Sequence, residues 1–259
     1  MADGVKDDAT KSDVRRCRFC GERAGNKEHI IAQALIERMG REDFEIVVGH
    51  QVESDLRSRT PHNLYNLTTK SVCKTCNNGW MSKLEAWFLN TAGPLVEPEW
   101  PKMANEHLKL LLPDRELLAN WMLKTAITMA ENSMMKNTIG SEVAEDLFRG
   151  KLPGSLIVDI GFINHSDIAS FTRQVFMVAT GGQPPRWMQH KEKKAFHMVL
   201  QLNHLALRLA RIPDAVEFYQ APDFRHPLRC YPVAHDPYKV DFRYHSIQEF
   251  SAGLILSCD

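Results

Sequence analysis

The sequence lacks the long apolar run that a membrane-spanning helix requires. No stretch of its 259 residues approaches the roughly 18 consecutive apolar side chains of such a helix. The first residues carry no basic start followed by an apolar core, so we expect no secretory signal. These absences exclude the membrane as a partner and predict a cytoplasmic protein.

Cysteine is also scarce, since the chain contains only six. That number is too small for a disulfide scaffold in a chain of this length. Four of the six form two Cys-x-x-Cys pairs, Cys17 with Cys20 and Cys73 with Cys76. Thiolates bind zinc tetrahedrally, and two such pairs supply four ligands. The sequence therefore predicts a structural zinc site, formed in a reducing compartment.

The chain has no excess of either charge, because 32 Lys and Arg balance 32 Asp and Glu. Any surface that binds nucleic-acid phosphates must then be a local patch. The candidates beside the cysteines are Arg18, Arg23, Lys74 and Lys83, and the alternative for each is an ordinary solvated charge. Trp80 either stacks on a base or packs within its own domain.

Composition divides the chain into three parts. Residues 1–13 are polar and small and are predicted to be a disordered lead-in. Residues 14–95 contain both cysteine pairs, and a cluster of three prolines between positions 94 and 101 marks the end of this domain. Residues 96–259 have the content of a second, accessory domain.

Periodicity predicts an α+β fold for the chain. Helical spacing predicts helices over residues 33–39, from 80 to about 93, from 114 to 135 and over 141–148. Alternation predicts strands over residues 44–48, 155–163, 174–180, 195–202 and 205–210, with turns at Gly181-Gly182 and at Asn203-His204. The second half is therefore expected to be a helical hairpin packed on an antiparallel sheet.

An acid-histidine pair, Glu28-His29, lies between the two cysteine pairs. Because four thiolates close the coordination of a zinc ion, any chemistry must use other groups. A histidine can act as a general base towards water while a neighbouring carboxylate binds a hard cation. The alternative is a surface glutamate beside a partly buried histidine, which is the commoner fate of such a pair.

Residues 17–85 resemble the HNH family of endonucleases in its cysteine-bracketed form. The matching pieces are the two Cys-x-x-Cys pairs, Glu28-His29-Ile30-Ile31, Asn66-Leu67, Asn77 and the helix that carries Lys83. The resemblance implies a ββα-metal finger, in which a β-hairpin and a helix hold one divalent cation. It covers about a quarter of the chain and implies nothing about the accessory domain.

The family's functional positions fall on four residues of this chain. By resemblance, His29 is the general base and Glu28 a ligand of the catalytic cation, which is Mg²⁺, Mn²⁺ or another divalent ion. Asn66 orients the His29 ring, and Asn77 is the second ligand. Asn63 is an alternative to Asn66, and Asn78 is an alternative to Asn77.

The function that we expect is metal-dependent hydrolysis of nucleic-acid phosphodiester bonds, with DNA favoured over RNA. Family analogy adds a role in phage defence or restriction. The accessory domain would dock a protein partner, choose the substrate or pair two copies of the chain. The alternative is a non-catalytic zinc ribbon that binds nucleic acid or a protein partner.

Overall fold

A computed structural model of the chain describes residues 15–47, 50–52, 55–57, 61–99, 111–132, 139–154, 156–174, 196–211, 217–219, 228–231, 243–252 and 255–257. The predicted lead-in over residues 1–13 lies outside these ranges. So do the Gly181-Gly182 turn and all but the first residue of the strand predicted over 174–180.

The described residues form six α-helices and twelve strands. The helices are α1 (Gln33–Arg38), α2 (Lys74–Cys76), α3 (Ser82–Ala92), α4 (Arg115–Asn132), α5 (Ser141–Phe148) and α6 (Ile247–Ala252). The strands are β1 (Asn26–His29), β2 (Glu45–Val47), β3 (His50–Val52), β4 (Asp55–Arg57), β5 (Pro61–Asn63), β6 (Thr68–Val72), β7 (Leu156–Gln174), β8 (Phe196–Arg211), β9 (Glu217–Tyr219), β10 (Leu228–Tyr231), β11 (Arg243–Tyr244) and β12 (Ile255–Ser257).

The N-terminal part is built on an antiparallel pair, β1 with β6. Between these strands the chain forms α1 and two further antiparallel pairs, β2 with β5 and β3 with β4. The predicted helix over residues 33–39 is confirmed, and Gly40 follows it with φ +63°, the left-handed conformation that glycine adopts without strain. After β6 the chain enters α2 directly.

The helix predicted to start near Trp80 begins earlier. A helical run extends from Lys74 through a wide π-type turn, Asn77–Met81, into α3. Gly79 interrupts this run with φ −97° and ψ −110°, so the backbone kinks between α2 and α3. The kink separates the short helix that carries the second cysteine pair from the longer one that packs on the rest of the molecule.

Helix α4 joins the two halves of the chain. Its side chains from Leu118 to Thr128 are nearly all buried. Phe88 of α3 stacks on Trp121 of α4 with ring centroids 3.6 Å apart. One continuous cluster of buried apolar side chains contains residues from both sides of position 95. The N-terminal part is therefore packed against the second half rather than held apart from it.

The long strands β7 and β8 form the centre of the second half. They pair antiparallel along most of their length, while β10 and β11 pair with β7. Helix α4 contacts β7, β8 and β10, and it also contacts α5. The α+β prediction is confirmed at this level. Among the described helices, none combines the length and apolarity that crossing a membrane would require.

The predicted turn at Asn203-His204 is wrong, because β8 continues through both residues. Asn203 has φ +52°, and the register of β7 against β8 shifts between Phe162 and Asp167. The two residues therefore mark an irregularity within a strand pair. Residues that form turns can also occupy a bulge, and here they fall within β8 and not at the end of a strand.

The Asn203 side chain connects this irregularity to the N-terminal part. Its Nδ2 donates to the carbonyls of Met39 at 3.0 Å and Val96 at 2.7 Å. Its Oδ1 accepts from Arg41 Nε at 3.0 Å and from Ser166 Oγ at 2.9 Å. A buried amide with all these partners fixes the position of α1 relative to the sheet.

Candidate metal centre and active site

The four paired cysteines lie together. Their sulfur atoms are all within 4.8 Å of one another, and Cys20 Sγ is 3.5 Å from Cys73 Sγ. A zinc ion with Zn–S bonds of about 2.3 Å separates its ligand sulfurs by about 3.8 Å. The cluster therefore has the size and the donor atoms that a zinc ion needs, with Cys17 and Cys76 completing the set.

Local backbone geometry brings each cysteine pair into place. In the first pair, Gly21 N donates to the Cys17 carbonyl at 3.0 Å, and Gly21 has φ +76°. A side chain at this position would strain the turn, which explains the glycine. In the second pair, Cys73 caps α2, and its sulfur accepts from the N–H of Cys76 at 3.4 Å.

Burial acts against the ionisation of three of the four thiols. Burial raises the pKa of Cys20 and of Cys76. Burial also acts to raise the pKa of Cys73, but the Cys76 backbone N–H and the neighbouring thiols outweigh it, so the net pKa is lowered. A bound Zn²⁺ ion would supply the positive charge that allows all four to ionise.

Aromatic side chains cover this cluster. Phe19, between the first two cysteines, is buried and packs edge-on against Trp80, with ring centroids 5.2 Å apart and ring planes at 80°. Burial keeps the pKa of the Cys76 thiol raised, and the nearby indole of Trp80 opposes that rise. Trp80 therefore takes the second of its two predicted roles, packing within its own domain.

Strands β1 and β6 form an antiparallel pair that we call the hairpin, although α1 and two further strand pairs lie between them in sequence. Glu28 and His29 point to opposite sides of this pair. Glu28 is paired with Thr69, and these two side chains are only 6% and 5% exposed. His29 is paired with Thr68, and both are half-buried. Because successive side chains alternate along a strand, the hairpin has an inner face with Glu28 and an outer face with His29.

The inner face places Glu28 in a buried charged cluster. Burial raises its pKa to about 7, the positive charge of Lys124 opposes this rise, and the negative charge of Glu85 adds to it. Glu85 Oε1 forms an ion pair with Lys124 Nζ, and Glu85 Oε2 accepts from Trp121 Nε1 at 2.9 Å. The expected cation ligand therefore lies beside a second carboxylate and an ammonium group.

The outer face gives His29 the properties of a base. Burial lowers its pKa, the main chain of Tyr65 opposes the shift, and the positive charge of Lys27 adds to it. Among the described residues, no group meets hydrogen-bond geometry with the buried Nδ1 atom, so the contact with Tyr65 is loose. A lowered pKa leaves the imidazole neutral near pH 7, and a neutral imidazole can accept a proton.

Neither asparagine proposed to orient the histidine is placed against its ring by a hydrogen bond. Asn63 accepts from Tyr65 N at 2.8 Å and donates to the Glu42 carbonyl at 3.1 Å, so it holds the turn before β6. Asn66 is exposed and lines a surface cleft that also contains three carboxylates. Among the described residues, the main chain of Tyr65 is the group that comes closest to orienting the His29 ring.

The two residues predicted as alternatives for the second cation ligand, Asn77 and Asn78, differ in their contacts with β1. Asn77 Nδ2 donates to the Lys27 carbonyl at 3.4 Å, which places this amide at the edge of β1 next to Glu28. The bond uses the amide nitrogen and leaves the oxygen for other partners. Asn78 is exposed and makes no such contact with β1 among the described residues.

The four predicted phosphate-binding cations have different environments. Arg18 forms an ion pair with Glu131 at 3.1 Å and donates to the Ile139 carbonyl, so α4 and the segment after it engage its guanidinium. The other three, Arg23, Lys74 and Lys83, are exposed. Sequence reasoning missed two further exposed cations on the hairpin, at positions 27 and 70.

Sequence reasoning also missed Lys124 and Glu85. Lys124 is the one cation in the apolar run from Trp121 to Ile127, which is a signal that a buried partner exists. Glu85 directly follows Leu84, which packs into the core. Helical periodicity alone therefore places Glu85 on the exposed surface of α3. Its partner is distant in sequence and could not be read from spacing.

Comparison with known proteins adds no assignment: no family model, curated protein or solved structure matches the chain.

Proposed function

We propose that the chain is a metal-dependent endonuclease of the HNH type, with residues 17–85 as a zinc-stapled ββα-metal finger. The observation that carries the proposal is the placement of His29. It lies at the end of a hairpin strand, with a lowered pKa, and the start of the following helical run contacts that strand through Asn77. The order strand pair then helix, with two cysteines before β1 and two after β6, is the order that the resemblance implies.

Zinc and the catalytic cation would have separate positions in this proposal. The four thiols would hold Zn²⁺, which would link the turn before β1 to the start of α2 and take no part in the reaction. Glu28 and the Asn77 amide oxygen would hold Mg²⁺ or Mn²⁺, since both offer the oxygen ligands that these ions prefer. The bound divalent cation would neutralise charge that develops on the phosphate oxygens.

His29 would do the proton chemistry. Its neutral imidazole removes a proton from a water molecule, and the water oxygen forms a new bond to phosphorus. The ester bond on the opposite side of phosphorus breaks, and its electron pair leaves with the departing oxygen, which then takes a proton from solvent. A base whose pKa lies below neutrality is in its active form at pH 7.

Exposed cations near His29 would bind the nucleic-acid backbone. The Lys27 charge already acts on the His29 ring, and Lys70 alternates with the buried Thr69 towards the outer face of β6. We add these two lysines to the exposed Arg23. Such contacts favour a phosphate backbone without specifying its sequence, and DNA is the substrate that we favour.

One observation favours the non-catalytic alternative, a zinc ribbon that binds nucleic acid or a protein partner. Glu28 is buried, lies near an ammonium group and faces the side of β1 opposite to His29, whereas a cation ligand must open towards the substrate and towards the base. In that alternative, the Glu28 cluster only holds the finger to α4. The remaining parts of the proposal, a cytoplasmic location and a role for residues 96–259 in docking a partner or a second copy of the chain, apply to both functions.

The test is a cleavage assay with purified full-length protein. Plasmid, linear duplex, single-stranded DNA and RNA are incubated with Mg²⁺, Mn²⁺ or a chelator of these ions. His29→Ala is compared with His165→Ala, a matched variant at an exposed histidine of β7. We expect cation-dependent cleavage that is lost with His29→Ala and retained with His165→Ala. Equal cation-dependent cleavage by both variants would refute the assignment of the active site to His29. Nucleic-acid binding without cleavage by any of the three proteins would support the ribbon.

A further inference from the structure

The four thiols of the metal centre differ in their exposure. Cys17, Cys73 and Cys76 are only 3%, 4% and 1% exposed, whereas Cys20 is partly exposed. The residue after Cys20 also faces open space, because a Cβ built on Gly21 would meet no atom within 4 Å outside its two chain neighbours. Cys20 is therefore the sulfur that a small molecule dissolved in water reaches first.

The Cys20 sulfur has a partner thiol within reach. It lies 3.5 Å from the sulfur of Cys73, which belongs to the other cysteine pair and caps α2. A disulfide requires its two sulfurs to be about 2 Å apart. A closing movement of about 1.5 Å would therefore join the turn before β1 covalently to the start of α2.

We propose that Cys20 is a modification site for peroxides, and that its oxidation joins it to Cys73 and releases the zinc ion. This inference rests on the proposed zinc site and is independent of nuclease activity. A structural zinc ion uses four protein ligands and has none in reserve. Loss of two thiolates leaves only Cys17 and Cys76 as ligands, so the ion dissociates.

The oxidation proceeds in two balanced steps. The Cys20 thiolate attacks one oxygen of hydrogen peroxide. A sulfur–oxygen bond forms, the oxygen–oxygen bond breaks, and the departing oxygen takes a proton and leaves as water. The Cys73 thiolate then attacks the oxidised sulfur, the disulfide forms, and the sulfur-bound hydroxyl takes a proton and leaves as a second water. The two thiolates lose two electrons, which the peroxide gains.

The sequence around the cluster allows each cysteine to be identified separately. Arg18 lies between the cysteines of the first pair, and Lys74 lies between those of the second. Trypsin, which cleaves after arginine and lysine, therefore places all four cysteines on different peptides. Each possible disulfide then joins a different pair of peptides, which mass spectrometry distinguishes.

The experiment uses zinc-loaded full-length protein in which Cys230→Ser and Cys258→Ser remove the two thiols outside the cluster. One equivalent of hydrogen peroxide is added, a chromogenic chelator measures the released zinc, and free thiols are alkylated before digestion. We expect about one zinc ion to be released for each Cys20–Cys73 disulfide formed. A dithiol reductant should restore zinc binding. The control without peroxide should keep its zinc over the same time.

The possible products separate this inference from the zinc site on which it rests. A first disulfide within one cysteine pair, Cys17 with Cys20 or Cys73 with Cys76, would overturn the inference alone. So would zinc that stays bound to four reduced thiols in the presence of peroxide. Protein that carries no zinc before oxidation, although it is folded, would overturn the zinc site and the inference together.

Discussion

The raised pKa of Glu28 predicts a specific dependence of stability on pH. Burial raises this pKa from an ordinary 4.5 to about 7, so the folded protein retains a proton that the unfolded chain releases. The contribution of Glu28 to the free energy of unfolding is fully present below pH 4.5. It is lost as the pH rises through about 7. At about 1.4 kcal/mol for each tenfold change in proton affinity, the whole effect is about 3 kcal/mol.

The perturbation that isolates this effect is Glu28→Gln, which keeps the shape of the side chain and does not titrate. The free energy of unfolding is measured by urea denaturation of the zinc-loaded protein, without added divalent cations, at pH 5 and pH 8. Relative to Glu28→Gln, the unsubstituted protein should lose about 2 to 3 kcal/mol between these two pH values.

Glu116→Gln is the control, because this carboxylate is exposed near the start of α4. It should follow the unsubstituted protein at both pH values. If the stability difference between the unsubstituted protein and Glu28→Gln is the same at pH 5 and pH 8, Glu28 is not the buried, protonated group described above. The Lys124 cluster would then need another explanation.

Three further predictions concern the zinc site, the hairpin surface and the sheet. Cys73→Ser should reduce bound zinc from about one ion per chain to none and lower the melting temperature, as metal analysis and calorimetry would show. Lys70→Ala should weaken binding to duplex DNA and reduce the slope of log affinity against log salt by about 0.9, whereas the exposed Lys151→Ala should leave both unchanged. Gly161→Ala should destabilise the protein by about 1 to 3 kcal/mol in urea denaturation, because a Cβ there would lie 2.8 Å from the Phe250 ring. Normal stability of that variant would contradict the close packing of α6 on β7.

The thiol cluster was accessible from the sequence because its signal is local. Two-residue spacing within each pair fixes a turn, and the glycine after Cys20 fits the left-handed backbone that the turn requires. The long separation between the pairs required folded structure between them, and α1 with two small strand pairs occupies that interval. Because all four donor atoms are cysteine sulfurs, the metal ion at this site should be one that thiolates prefer.

The inner face of the hairpin was not accessible in the same way. Strand alternation separates Glu28 from His29, but only tertiary contacts show that Glu28 is on the buried side. Lys124 and Glu85 come from two helices that meet through the stacked rings of Phe88 and Trp121. No periodicity in a single sequence specifies which helices meet.

The second half shows how local propensity can mislead. Asn203 and His204 are residues that often form turns, yet here the strand continues. Asn203 adopts a positive φ inside β8 because its side chain bonds to carbonyls from the N-terminal part. The tertiary hydrogen bonds determine the backbone conformation at this position, so propensity predicts the residue's unusual φ but not its place in a strand.

We propose His29 as the base of a phosphodiester hydrolysis. The measurement that tests it most directly is the cleavage rate of zinc-loaded His29→Ala with a divalent cation, with and without added imidazole. We expect a loss of at least about 100-fold relative to the unsubstituted protein, with partial recovery when imidazole replaces the missing side chain. Cleavage by His29→Ala at the unsubstituted rate would contradict it.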